Sequence, residues 1–201
     1  MGLARLDELG AEFPIEIELK AYFLHPEIPP EGRERELRQG ESSDDRSLSD
    51  PLKTLAADAG LTMLRADKTP YSRLAQAATE YAKSHGLADQ FHRAAYKSFW
   101  ADGTDLGDLM VLERLSRKVG LDWDDLGPRL AAGEYDRKME DQHDAGLQTG
   151  IWGVPGFLVD DSFYFTGAQT LEFFRLAVKR VLSERKNGPG EGFGGRLVAG
   201  K

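Results

Sequence analysis

Gly150-Ile151-Trp152-Gly153-Val154-Pro155-Gly156-Phe157-Leu158-Val159-Asp160-Asp161-Ser162-Phe163-Tyr164-Phe165-Thr166-Gly167 is the stretch whose reading decides the fold. Gly150 and Gly153 punctuate the end of a helical pattern. Pro155 then opens residues 157–159, an apolar run with the β-branched and aromatic character of a strand. Asp160-Asp161-Ser162 is a short polar turn and Phe163-Tyr164-Phe165 resumes strand character, so the two runs read as a hairpin. Outward on the C-terminal side, Leu171, Phe174, Leu176, Val178, Val181 and Leu182 recur at roughly helical spacing and give the hairpin a helix to pack on.

Outward on the N-terminal side, residues from about 50 to 149 read as consistently helical. Asp50-Pro51 and Thr69-Pro70 look like helix starts, with Asp or Thr capping and Pro in the first turn. Leu52, Leu55, Ala56 and Ala59 make one apolar face, Leu74, Ala77, Ala78, Tyr81 and Ala82 a second, and Phe91, Ala94, Ala95, Ser98 and Phe99 a third. Further helices are expected over residues 105–119, closed by Gly120, then from Asp122 around Leu126 and Leu130, and finally over residues 134–147. Residues 33–50 are charged and poor in apolar side chains, which predicts an exposed loop. Before it, Ile15, Ile17, Leu19, Ala21 and Phe23 alternate with Glu16, Glu18, Lys20 and Tyr22, the period of a half-buried strand. Leu3, Leu6 and Leu9 lie on one face of a leading helix ended by Gly10. The order helix, strand, several helices, hairpin, helix predicts an α/β sheet carrying a helical insertion.

Three stretches, Phe23-Leu24-His25-Pro26-Glu27-Ile28-Pro29-Pro30-Glu31-Gly32, residues 150–159, and Gly167-Ala168-Gln169, resemble the DsbA-like branch of the thioredoxin fold. The likeness is to FrnE-type oxidoreductases and to their relatives, the 2-hydroxychromene-2-carboxylate isomerases and kappa-class glutathione transferases. It implies a thioredoxin-like subdomain made of residues 1–49 and 150–184, a helical insertion over 50–149, and a glycine-rich tail over 185–201 expected to be disordered. It also implies that a first strand and a Cys-x-x-C come before the segment that residues 2–9 match. The N-terminal strand is therefore expected to be missing, through an upstream start or a true loss, which would expose a sheet edge and offer a route to a homodimer.

With 40% hydrophobic residues among 201, the chain can bury one substantial core. A net charge of -8 leaves no basic field for nucleic acid. No apolar run approaches the roughly 20 residues that cross a bilayer, and no secretory leader is evident, so the cytoplasm is the expected compartment. The chain has no cysteine, so it contains no disulfide, thiolate nucleophile or cysteine-held metal of its own.

The family likeness implies a cis Val154-Pro155 bond, with the backbone before the proline holding an extended peptide or glutathione as an added strand. Gly153, Val154 and Pro155 are thus the expected substrate-binding residues. Trp152 is a candidate wall of an apolar cleft, set against a plain packing role. Gln169 is a candidate partner for an anionic or amide group, set against a plain helix-start role. No catalytic residue is expected within the chain. His25, His85, His92 and His143 have no metal-like spacing, His25 suits a loop hydrogen bond, and no Gly-x-Ser-x-Gly elbow occurs. Gly192-Phe193-Gly194-Gly195 lacks the flanking strand and helix of a phosphate loop, and Asp122-Trp123-Asp124-Asp125 reads as a helix start. The family activity is thiol-disulfide oxidoreduction, which this chain cannot perform without a Cys-x-x-C. Glutathione-dependent isomerase or transferase chemistry, and non-catalytic peptide binding, are the alternatives.

Overall fold

A computed structural model describes residues 1–37, 42, 44–186 and 195–200. The chain divides into two compact units, Met1–Leu24 with Glu140–Lys201, and His25–Met139.

In the first unit, helix α1 (Gly2–Gly10) leads into strand β1 (Ile15–Lys20). Helix α7 (Asp136–Thr149), whose C-terminal part lies in this unit, leads into the hairpin β4 (Gly156–Val159) and β5 (Phe163–Thr166). Helix α8 (Leu171–Lys186) and strand β6 (Gly195–Gly200) follow. The four strands form one sheet in the order β1-β6-β4-β5. β6 runs parallel to β1 and antiparallel to β4, and β4 is antiparallel to β5. This is an α/β thioredoxin-like fold with a helical insertion, but the position between β1 and β4 is not vacant. The expected missing strand is replaced by one from the far end of the sequence.

Strand alternation sorts the residues by face. Phe157 and Phe165 stack at 4.8 Å between ring centres, and Phe174 of α8 meets both edge-on, at 4.8 and 5.1 Å. Such arrangements suit the ring quadrupoles and put large apolar area out of water. α1 packs on α8, burying Leu6 and Leu9 completely. Arg175 of α8 also forks onto Glu12, just past α1, with Nε 2.8 Å from Oε2. On the other face, α7 ends over Tyr164. Gly150 has φ of 94°, and a Cβ there would fall 2.7 Å from the Tyr164 hydroxyl, so only glycine fits both the turn and the approach. The Gly150 and Ile151 N–H groups donate to the Leu147 and Gly146 carbonyls, which closes α7 in a Schellman turn. The hairpin turn carries positive φ at Asp160 and Asp161, a conformation that Asp tolerates better than most residues.

The second unit contains β2 (Arg33–Glu34), α2 (Leu52–Asp58), β3 (Lys68–Thr69), α3 (Arg73–Ser84), α4 (Ala88–Trp100), α5 (Leu109–Val119) and α6 (Trp123–Ala131). α3 is its centre: every residue from Ala75 to Ala82 is buried, the alanines admitting close neighbours. The buried Glu80 carboxylate pairs with Lys83 and, at 3.0 Å, with Lys138. Burial works to raise its pKa, and the two ammonium groups overcome that and hold it below the ordinary carboxylate value. Asp108 and Asp122 cap α5 and α6 by accepting from the Met110 and Asp124 N–H groups, and Gly120 ends α5 with φ of 88°.

Several expectations need correction. The units meet at 24/25 and 139/140, not at 49/50 and 149/150, because the Pro-rich connection and the start of α7 belong with the helices. Asp50 and Thr69 do not cap helices. Asp50 accepts from the Thr54 hydroxyl, Thr69 pairs with Arg33 in a two-strand ribbon, and α3 begins only at Arg73. Arg33 and Glu34, expected in a loop, are that ribbon's other strand. β1 stops at Lys20, where its ladder with β6 ends. The tail expected to be disordered contributes the end of α8 and all of β6, while its residues 187–194 and 201 lie outside the described residues.

Candidate functional site

Pairing brings Lys20, Gly200, Gly156 and Thr166 into one row across the sheet. The parallel strands β1 and β6 both end at this row, and Pro155 lies one residue beyond it. In α/β sheets the carboxyl ends of parallel strands are where ligand crevices form, because the chain leaves the sheet there and opens loops.

The Val154-Pro155 peptide bond is cis. The Pro155 carbonyl accepts from the Gly167 N–H at 2.8 Å, which pins this loop to the end of β5. The first turn of α1 comes up against it. A Cβ on Gly2 would fall 2.9 Å from Phe157 Cζ and 3.4 Å from Pro155 Cβ, so the absence of a side chain allows the approach. Burial, and then the Arg5 guanidinium, push the Met1 amino group at this helix head below its ordinary value.

Among the described residues, neither the N–H nor the C=O of Val154 has a backbone partner. Val154 and Pro155 are half-buried, and a Cβ added to Gly153 would meet no atom within 4 Å. The strip Gly153-Val154-Pro155 therefore keeps one donor and one acceptor without a backbone partner among the described residues, the requirement for adding an extended segment as a strand. Trp152 stands beside it with 75% of its surface exposed, so the ring does not serve the core. Gln169 lies between β5 and α8. Its Nε2 donates to the Thr166 carbonyl at 3.0 Å, and Thr170 rather than Gln169 accepts from an α8 backbone N–H, that of Phe173.

Gln142, which sequence reasoning passed over, and His143, weighed there only for metal-like spacing, lie at the same end of the sheet. Past the last β1–β6 pair, Ala21 donates its N–H to Gln142 Oε1 at 2.6 Å, and Phe23 donates to His143 Nδ1 at 3.3 Å. Side chains of α7 thus continue the hydrogen bonding where the ladder stops. Since Nδ1 accepts, the proton of neutral His143 sits on Nε2. Tyr22 and Phe23 enclose the imidazole at 4.8 and 5.2 Å. His25 is exposed, its Nδ1 3.3 Å from Glu27, consistent with a loop contact. No group of three or more His, Asp or Glu among the described residues is placed to hold a metal ion. No helix among them is long and apolar enough to cross a membrane.

The chain is 24% identical to a probable DsbA oxidoreductase from Streptomyces coelicolor, whose crystal structure superposes with a TM-score of 0.76, covering 96% of this chain and 87% of that one. A 2-hydroxychromene-2-carboxylate isomerase superposes with a TM-score of 0.65 at 18% identity, over 93% and 91% of the two chains. At these identities the likeness is one of fold. In sequence, an uncharacterized protein of Bacillus subtilis (strain 168), YwbO, is 26% identical over 110 residues, and the chain spans about half (54%) of the length of that relative. The sequence profile of the DSBA-like thioredoxin domain matches residues 1–179, nearly the whole of the two described units. By that match the chain belongs to the DsbA-like thioredoxin domain family.

Proposed function

We propose that this chain is the substrate-holding body of a FrnE-type thiol-disulfide oxidoreductase. The extended backbone of a thiol- or disulfide-bearing peptide lies against Val154, exchanging hydrogen bonds with its N–H and C=O, while the exposed Trp152 ring covers an apolar side chain. One observation carries the reading: the unpartnered Val154 backbone sits beside a proline packed against the head of α1. In a thiol exchange a thiolate must attack the substrate sulfur, and this sequence has no cysteine to supply it. The polypeptide as it stands therefore binds and does not turn over dithiols.

Insulin reduction by the purified chain is expected to match the uncatalysed rate. Binding is read by calorimetry with a cystine-containing peptide and with glutathione, whose tripeptide offers the same extended backbone. Gly153→Leu is the decisive variant, because its side chain enters open space in the protein and only a bound ligand would meet it. It should weaken binding by about tenfold or more, roughly 1.4 kcal/mol, with the unfolding midpoint unchanged. Equal binding by wild type and Gly153→Leu would remove the ligand from this strip. Heat with glutathione alone would assign the isomerase or transferase branch instead.

A further inference from the structure

Among the described residues, β1 pairs only with β6 and β5 only with β4, so the sheet has an edge at each side. An edge is a row of backbone donors and acceptors that another strand can pair with. β5 has four residues and adds little length to a ladder. β1 has six, and Ile15-Glu16-Ile17-Glu18-Leu19-Lys20 alternates throughout. Register puts Ile17 in one row with Val159, and Leu19 in one row with Phe157, so the apolar residues of β1 lie on the core face. Ile17 still leaves 37% of its surface exposed, so packing on that face stops short of this edge. Glu16, Glu18 and Lys20 lie on the other face. Lys20 pairs with Glu18 of its own strand, whereas Glu16 is exposed and enters no ion pair among the described residues.

Charges on an edge strand ordinarily repel unwanted strands. Here their order suits one partner. Two copies of a strand that pair about a twofold axis run antiparallel, and residues directly opposite one another share a face. Opposed positions must therefore both be odd or both be even, which leaves few registers. With Ile17 opposite its own copy, Glu16 faces Glu18 twice, and like charges in that position destabilise a pair. With Leu19 opposite its own copy, the ladder needs Ala21 and Phe23, whose N–H groups already donate to Gln142 and His143. With Glu18 opposite its own copy, Glu16 faces Lys20 twice and Ile17 faces Leu19 twice, all within β1. The two Glu18 carboxylates then meet at the axis, each beside the Lys20 of its own strand.

We propose that the outer edge of β1 is a homodimer interface. A second copy of this chain adds its β1 antiparallel, in the register that sets Glu18 against Glu18, and joins two four-stranded sheets into one. The edge is the one facing away from β4, not the side that β6 fills. The partner's Leu19 lies across from the exposed Ile17, and the partner's Lys20 supplies the cation that Glu16 lacks. Charge thus selects both the partner and the register. The interface goes beyond the substrate strip and leaves it clear, because antiparallel β1 strands end in opposite directions and carry the two Pro155 loops apart.

A chain without cysteine allows a direct test. Glu18→Cys sets two thiols opposite one another at the axis, where Cβ atoms of opposed residues lie about 4.5–5.5 Å apart, near disulfide reach. Ile17→Cys sets its thiol opposite Leu19 instead. Under mild oxidation of the full chain, Glu18→Cys should form linked dimers at least about tenfold faster than Ile17→Cys, although Ile17 is the more exposed of the two residues. Equal rates, or faster linkage through Ile17→Cys, would overturn the proposal. Sedimentation of the wild-type chain across the micromolar range should show reversible dimers, and a monomer throughout would overturn it as well. Glu16→Lys and Lys20→Glu each set like charges opposite one another, and each should weaken self-association by at least about tenfold. An equimolar mixture of those two variants should regain it, since every opposed pair except the one at the axis is then of opposite sign. A mixture that stays monomeric would count against the interface. Should Lys20→Glu fail to fold, Glu16→Lys and the cysteine pair still decide. None of these readings involves a ligand at Val154, so they succeed or fail apart from the calorimetry.

Discussion

The helical unit, His25–Met139, packs α3 against α4, α5 and α6, which all follow it closely in the sequence. The sheet unit assembles β1 from the start of the sequence, a hairpin from its last third and β6 from beyond α8. The first can gain its contacts by closing short loops. The second must bring distant segments together before any ladder repays the lost chain entropy. Stability built from local contacts resists a single lesion differently from stability built on one central strand.

The sharpest way to break this contrast is in the sheet. Phe157 is 1% exposed and joins the hairpin, α8 and the head of α1. Phe157→Ala should cost about 4 kcal/mol, and exchange mass spectrometry should show amides of the sheet unit opening together while α3 to α6 keep their protection. Simultaneous loss in both units would erase the distinction.

In the helical unit the corresponding lesion is electrostatic. Replacing Lys83 and Lys138 with Met leaves the buried Glu80 carboxylate without its cations, at a cost of about 3 kcal/mol near neutral pH. The acid limb gives the sign. Glu80 has a depressed folded pKa, so its contribution is fully present above the ordinary value of 4.5 and is lost as pH falls through the lower folded value. The wild-type helical unit should therefore lose stability as pH falls from 4.5 toward the lower folded value. The double variant should lose less on acidification, which denaturant midpoints at a series of pH values will check.

The smallest change sharpens the comparison from the stabilising side. Asp161 holds φ of 53° without the excuse of being glycine. Asp161→Gly should raise the stability of the sheet unit by about 0.5 kcal/mol, visible as slower exchange in β4 and β5 and in no helix of the other unit.

The same contrast explains what the residues disclosed before any coordinates. Local signals worked where structure is local. Asp122 and Gly120 mark real helix ends, Phe174, Val178 and Val181 of α8 are buried as their spacing implies although Leu176 is exposed, and the hairpin follows from apolar runs around Asp160-Asp161-Ser162. The Gly153-Val154-Pro155 strip was legible because glycine, proline and the following strand are neighbours in sequence. β6 was not. Four residues between glycines, Arg-Leu-Val-Ala, are too few to display a period, and the walls that order them lie far away in the chain. Gln142 and His143 escaped for the same reason, since on a polar helix nothing nearby shows that their acceptors serve backbone N–H groups 121 and 120 residues earlier. Asp50-Pro51 misled because a capping dipeptide describes a tendency, and Asp50 found its partner in the Thr54 hydroxyl.

Because the middle strand of the sheet is encoded after its neighbours, its position bears on biosynthesis. A ribosome adding about 5–20 residues per second delivers the whole of His25–Met139 well before Gly195–Gly200 leaves the exit tunnel. The helices can mature on the nascent chain during that interval. β1 and the β4–β5 hairpin must wait, their unpaired edges open to chaperones or to pairing with other nascent chains, until translation supplies the piece that goes between them.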